Sequence, residues 1–446
     1  MDAGRVALAV LVLGVVTSRG VTTVDELVHL CRAVAWSRGE ASLLLDPGDL
    51  WVPTRNVAGG LFYDDGEGLR ASSPPGLSAL TFLLIAPLVW LDDSPLASEG
   101  LVRGDPIEVA LPRLSRDPRV VAFSMIGPIS AALAVFFLLL TLRALELSLR
   151  AQRTTAAAFV IGSPMLVYAG TCWTQLPLTA ALSYALYRVC VREQRSGSSA
   201  AGLGLALAWM VAIRIECGLL ALFFGVATWQ TEHRWRRSPS RSMLRLVLPV
   251  ALVVIVLASI GLPARGDGYR LSTMAVGLPG LLISPRAGLL VYAPFVLLAP
   301  VGWLALSARR PLLWPLIGVP LCCLLIYAGW FDWHASLAYG PRFLLPALPC
   351  LAVAFAAAVD RTPRVAIVLV VVGLVVSLPG ALVAHGRIRE SDSSFDFAPL
   401  SLFATWPAID WAILESSGFA VALLLAALAG VVWEARGFRE ASTTRG

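Results

Sequence analysis

The chain has 446 residues, 57% of them hydrophobic and only 14% charged, where a soluble globular domain has about a quarter charged; mean hydropathy is +0.76. These values exclude a soluble enzyme and indicate a polytopic membrane protein, with helical spans of about 17 to 25 apolar residues rather than a barrel. All 35 basic residues are Arg and the formal charge is +6, yet the Arg recur in short clusters between apolar runs, so they read as topology signals and not as a nucleic-acid surface.

The absence of Lys and the single Asn56 fit a GC-rich bacterial genome, since Lys and Asn codons are A/T-rich. The seven Cys show no CxxC and no metal-ligand spacing, so no disulfide framework is indicated. Six clusters (Arg143/Arg150/Arg153, Arg188/Arg192/Arg195, Arg234/Arg236/Arg237/Arg241/Arg245, Arg309/Arg310, Arg361/Arg364 and Arg436/Arg439/Arg445) hold eighteen Arg against six acids. By the positive-inside rule they belong on the cytoplasmic face. The stretch Ser18 to Pro118 carries fourteen acids and eight Arg and belongs outside.

In chain order, Val6 to Val16 is the heart of a first span from Arg5 to Thr17, or else the apolar core of a signal peptide, although no A-x-A cleavage pattern follows. The first polar break then brings Asp25 and Glu26. Thr23-x-x-Glu26 is a capping box for a helix continuing through Leu27, Leu30, Cys31 and Val34, where carboxylates also stabilise the helix dipole. The same pair outside a first span suits chemistry at the membrane surface, and the two readings coexist.

Between Gly60 and Gly76, Tyr63 and Arg70 are candidates to meet a sugar and a phosphate; an ordinary turn-rich loop with Pro opening a helix is the alternative. The apolar run Pro75 to Leu91 reads as a juxtamembrane helix lying on or dipping into the outer leaflet. Counted as a full span it would invert every later loop.

A span from Arg119 to Leu142 follows, then pairs of spans: Thr154 to Thr171 with Gln175 to Val191, Ser199 to Ile213 with Ile215 to Gln230, Leu244 to Leu262 with Gly288 to Ser307, Pro311 to Ala328 with Phe343 to Val359, and Arg364 to Ala384 with Glu415 to Trp433. The total is about twelve, between 11 and 13, in a single domain over 1–446 with both termini cytoplasmic. Four outer segments remain: Arg19 to Pro118, Pro263 to Ala287, Gly329 to Arg342 and His385 to Leu414.

Within these, Asp332, His334, Tyr339 and Arg342 cluster among Trp330, Phe331 and Trp333, whose rings also suit an interfacial belt. A guanidinium at an outer helix end suits a lipid-linked phosphate, because its planar donors bind two oxygens at once. Arg286 is a second phosphate candidate, or a plain positive flank to the next span. Arg214 and Glu216, amid apolar sequence, mark an outer turn, since a charge at mid-bilayer costs at least ~2.5 kcal/mol. A divalent cation is possible, but His334, His385 and Asp332 are too loosely spaced to define a metal site.

Asp25-Glu26 after the first span, Ser73-Pro-Pro-Gly76, Leu111-Pro-Arg113, Thr171-Cys-Trp-Thr-Gln-Leu-Pro177, Leu282 to Leu290 and Tyr339-Gly-Pro-Arg342 before Leu345-Pro346 form a pattern over nearly the whole chain. It resembles the GT-C superfamily of membrane glycosyltransferases, particularly the branch of protein O-mannosyltransferases, lipid A aminoarabinose transferases and bacterial membrane galacturonosyltransferases. The resemblance implies an all-α GT-C-like fold and an extracytoplasmic site in a bacterial inner membrane. It implies a polyprenyl-phosphate-linked sugar donor and an envelope glycan, lipid or protein as acceptor.

Carried over, Asp25 is the base or acceptor-orienting carboxylate and Glu26 supports it. Many relatives have Lys before the Pro-Pro step where this chain has Ser73, so Arg70, Arg286 or Arg342 must balance the phosphate. The expected activity is inverting transfer. The rivals are a transporter or flippase of lipid-linked sugars, which would carry inverted repeats and polar groups at mid-membrane, and an inactive glycolipid-binding scaffold.

Overall fold

The computed structural model describes residues 2–18, 24–39, 62–64, 69–71, 75–91, 118–194, 200–234, 239–259, 269–284, 287–333 and 339–382. Among the described residues the chain is all-α apart from one small hairpin. Helix α1 (Ala3–Val16) starts at Asp2, whose carboxylate accepts from the Gly4 amide at 2.9 Å, and satisfies one of the donors that a helix start leaves open. The first segment expected to lie outside holds α2 (Val24–Ser37), the strands β1 (Phe62–Asp64) and β2 (Leu69–Ala71), and α3 (Gly76–Leu91). Helix α3 is 16 residues long, about 24 Å at helical rise, and contains Pro87.

Next come α4 (Pro118–Ser124), α5 (Ile126–Ala144), α6 (Leu149–Val160), α7 (Met165–Ala169), α8 (Gln175–Gln194), α9 (Ala200–Ile213), a 3-10 turn over Ile215–Cys217, α10 (Gly218–Arg234) and α11 (Pro239–Ser259). The chain continues through α12 (Leu271–Ile283), α13 (Leu289–Tyr292), a 3-10 segment Pro294–Leu298, α14 (Ala299–Ala305), α15 (Arg310–Ala328), a 3-10 segment Arg342–Ala347, α16 (Leu348–Val359) and α17 (Pro363–Leu382).

Helix α16 is the hub: nearly all its residues are buried, and it packs against α5, α6, α8, α14 and α15. The periphery is the reverse. Leu244, Val247, Leu248, Leu252 and Ile255 on α11, and Ile367, Val368, Val371 and Val375 on α17, are exposed. Such surfaces cost about 25 cal/mol per Å² in water and nothing against lipid, so the helices make a membrane bundle. Helices pass closely where side chains vanish: Gly302 on α14 rests on the Ala354 backbone of α16, and Gly204 on α9 on the backbone of Arg245 and Leu246.

Three apolar helices among the described residues are long enough to cross a membrane, Pro118–Ala144, Arg310–Ala328 and Arg342–Val359, with seven shorter apolar helices beside them. Several expected spans are interrupted. Thr154 to Thr171 breaks over Ile161–Pro164, and Gly288 to Ser307 is divided by a 3-10 segment opening at Pro294. Phe343 to Val359 begins as 3-10 around Pro346. Proline removes a helical donor and clashes with the preceding turn. Ser163 lies within the first of these breaks and Arg342 opens the third.

The segment Pro263 to Ala287, expected as an outer loop, contains α12. Its Gly277 lies on the Ala328 backbone and its Gly280 on the Trp333 ring, while the Arg270 amide donates to the Gly329 carbonyl at 2.8 Å. Helix α12 therefore packs on the carboxy-terminal end of α15 and the turn after it. The expected span Glu415 to Trp433 and the expected outer segment His385 to Leu414 lie outside the described residues.

The charge clusters pair at one end of the bundle. Arg192 at the close of α8 donates to Glu232 at the close of α10 and, at 2.9 Å, to Ser242 in the first turns of α11. Ser148, capping α6, donates to Asp360 after α16 at 2.7 Å. The turns at 171–174, 214–217, 328–333 and 339–343 gather at the other end.

Candidate functional site

At that other end, α2 and α3 run parallel. His29 Nδ1 lies 2.9 Å from Ser78 Oγ, and Trp90 Nε1 donates to the Ser37 carbonyl at 2.9 Å. Arg32 Nη1 donates to Ser78 Oγ at 3.5 Å. Positions 25, 29 and 32 are spaced i, i+4, i+7 and share one stripe of α2. The backbone of Asp25 therefore stands one turn ahead of His29, toward the start of α3. That start is wedged against α9: a Cβ on Gly76 would stand 2.5 Å from the Ala212 carbonyl carbon and 2.6 Å from the Ile213 amide.

Arg214 comes next in the chain. Its Nη1 donates to the Tyr327 hydroxyl at 2.9 Å, its Nε lies 3.3 Å from Glu216 Oε1, and the Tyr327 hydroxyl donates to the same carboxylate at 3.1 Å. Its guanidinium carbon is 5.5 Å from the Tyr327 ring centroid and 5.6 Å from that of Phe343. These two rings stack at 4.8 Å and 11°.

Arg342 meets the same phenyl ring at 5.4 Å and covers the Trp173 ring at 4.0 Å. A guanidinium between two aromatic faces has its plane, and hence its donor edge, oriented by the rings. Behind it, Tyr168 tilts against Trp173 at 5.3 Å and donates to the Tyr339 carbonyl at 2.8 Å. The left-handed backbone at Gly340, φ 70°, lets the chain turn into Arg342 with the Tyr292 ring packed against it, a conformation glycine adopts without strain.

Burial dominates the electrostatics. His29 is pushed down from 6.5 to about 3 by desolvation, then by Arg32 and Arg214, so its imidazole is neutral. For Arg214, desolvation lowers the pKa, but Tyr327 and Glu216 outweigh it and hold the group above its ordinary value. The charge is permanent.

The structure distributes the candidate residues unevenly. Asp25 and Glu26 lie in the first turn of α2, with their side chains outside what is described. Tyr63 and Arg70 are directly opposed in the β1–β2 register, an unforeseen pairing of backbone positions. Arg286 and His334 lie outside the described residues. Asp332 is half-buried in the turn after Trp330.

Tyr339 is fully buried, with its hydroxyl donated to the Val376 carbonyl of α17 and its ring edge-on to Tyr292 at 5.2 Å. It anchors the loop and does not present its hydroxyl outward. Arg342 stands in the cluster. Sequence reasoning missed Arg214, Tyr327, Phe343, Trp173, His29 and Ser78 as members of it. The one available signal was Arg214-x-Glu216 in apolar surroundings. No group of three or more His, Cys, Asp or Glu among the described residues could hold a metal ion.

No family model matches the chain, and no curated protein does. Among solved structures it is similar to ArnT from Cupriavidus metallidurans bound to undecaprenyl phosphate, at 14% identity over 94% of this chain and 75% of that one, with a TM-score of 0.46.

Proposed function

We propose that the protein is an inverting glycosyltransferase that takes a sugar from a polyprenyl-phosphate carrier and passes it to an envelope glycan, lipid or protein on the extracytoplasmic face of a bacterial inner membrane. One observation carries this reading. Two guanidiniums from distant segments, Arg214 and Arg342, flank one phenyl ring at 5.6 and 5.4 Å, at the end of the bundle where α2 begins.

The chemistry needs that combination. A carboxylate, Asp25 in this reading with Glu26 beside it, takes the acceptor hydroxyl's proton as the oxygen attacks the anomeric carbon from the face opposite the phosphate. The bond from that carbon to the phosphate oxygen breaks, its electron pair leaves on the polyprenyl phosphate, and configuration inverts. Arg214 and Arg342 stabilise the growing negative charge, where removal of one preorganised donor typically costs about 3 to 4 kcal/mol. They supply the charge that a Lys before the Pro-Pro step supplies in relatives. Arg70, opposite Tyr63, and Arg286 are further candidates for carrier and sugar, as are Asp332 and His334.

The test is transfer of labelled sugar from polyprenyl-phosphate donors by the purified protein. Asp25→Asn is expected to insert normally and lose transfer; undiminished transfer by that variant would remove Asp25 from the mechanism. Loss of undecaprenyl phosphate binding in Arg214→Ala and Arg342→Ala is the companion result, and unchanged binding in both would remove the carrier site.

A further inference from the structure

Gln175 opens α8, two residues after the Trp173 ring that carries Arg342, and has no role in the steps above. The residue is 1% exposed. Both its Nε2 and its Oε1 are sealed from solvent and have no hydrogen-bond partner among the described residues. Its helix packs against the 3-10 segment that Arg342 begins, where Phe343, Leu344, Leu345, Pro346 and Ala347 are all buried and offer almost no polar side chain. An amide left this way costs roughly 1 to 3 kcal/mol for each unmet group. A Met or Leu there would pack equally well without that cost. Native proteins keep such groups where something else meets them.

We infer that Gln175 is a sugar-binding residue: its amide accepts from one hydroxyl and donates to a neighbouring hydroxyl of the sugar whose phosphate Arg342 holds. A carboxamide carries one acceptor and one donor side by side, the complement of a vicinal diol, whereas a bare phosphate has no hydroxyl pair to fill both. This assignment rests on the carrier reading above and adds the part of the donor that Gln175 recognises. Because the amide is buried, the sugar reaches it only with movement of the turn 170–174, which precedes α8.

The experiment compares wild type with Gln175→Met, an unbranched apolar match in length, by thermal unfolding in detergent and by binding. The probes are undecaprenyl phosphate alone and the same carrier bearing glucose, galactose, mannose or arabinose. Wild type is expected to gain stability with the bare carrier and more with at least one sugar-bearing form, which binds tighter by roughly 5- to 150-fold, the ratio that 1 to 3 kcal/mol represents.

Gln175→Met is expected to unfold at or above the wild-type temperature without ligand, to bind the bare carrier unchanged, and to lose the sugar's increment. Retention of that increment overturns the inference, as does a wild type that no sugar-bearing form binds better than the bare carrier. A Met variant that is destabilised or fails to fold also overturns it, because the amide then has a structural partner. Failure of the bare carrier to bind wild type strikes instead at the carrier reading.

Discussion

The Tyr327 hydroxyl stands between Arg214 and Glu216, accepting from the guanidinium at 2.9 Å and donating to the carboxylate at 3.1 Å, so one phenol fixes both members of an ion pair from another helix junction. Tyr327→Phe keeps the ring stacked on Phe343 and removes only this bridge. The expected loss is about 1.5 to 3 kcal/mol of stability, the net worth of hydrogen bonds to charged groups. Binding of undecaprenyl phosphate should weaken as Arg214 gains freedom, and calorimetric titration beside thermal unfolding checks both.

Arg342→Lys tests what the ring sandwich contributes. An ammonium keeps the charge but has no plane to lie between Trp173 and Phe343. Transfer should fall by about 10²- to 10³-fold, the range for loss of one oriented donor, with little change in unfolding temperature. A Lys variant at near wild-type rate would mean that charge alone suffices.

Two ion pairs at opposite ends of the bundle should respond differently. Arg192 and Glu232 have side chains only 7% and 3% exposed, so Glu232→Gln leaves a buried cation uncompensated and should cost about 3 kcal/mol without changing transfer per folded molecule. Arg214 and Glu216 are 21% and 29% exposed, so water screens the vacancy. Glu216→Gln should cost about 1 kcal/mol while reducing transfer. Stability and rate measured on both variants separate the two ends.

Acidification should destabilise the α2–α3 pair. The fold holds His29 neutral, its pKa pushed down to about 3 from 6.5 by burial, Arg32 and Arg214. This contribution is fully present above pH 6.5 and is lost as pH falls toward 3. Thermal unfolding between pH 7.5 and about 4.5 should drop more steeply in wild type than in His29→Gln, which carries no titrating ring.

Gly302→Ala is expected to cost about 1 to 3 kcal/mol by overpacking, since the added methyl would enter the Ala354 carbonyl of α16. The reading is an unfolding temperature with transfer per folded molecule unchanged.

Much of the architecture was legible because it is written in local chemistry. Arg clusters mark the bundle end at which Arg192 meets Glu232 and Ser148 meets Asp360. The breaks at Pro164, Pro294 and Pro346 were not read, because each lies inside an apolar run long enough to pass for one span. Helix α12 was missed because Gly277 and Pro279 within a 13-residue run look like loop, and only the bare backbone of Ala328 explains that glycine.

The cluster was half legible. Arg342 has a polar neighbourhood in sequence and was found, whereas Tyr327, Trp173 and Phe343 sit in apolar runs where a ring reads as core. Arg214 drew attention only as a charge that must avoid the bilayer. Its partner Tyr327 comes from another helix, and no spacing along the chain encodes that meeting.

Gly76 gives the arrangement a gauge. Helices α2 and α3 are tied to each other near both ends, and the start of α3 rests on the peptide between Ala212 and Ile213 with no space for a methyl group. The separation between the amino-terminal tip of α2 and Arg214 is thereby set by a hydrogen atom. Any larger substituent at residue 76 would act as a shim, tilting the coupled helices away from Arg214.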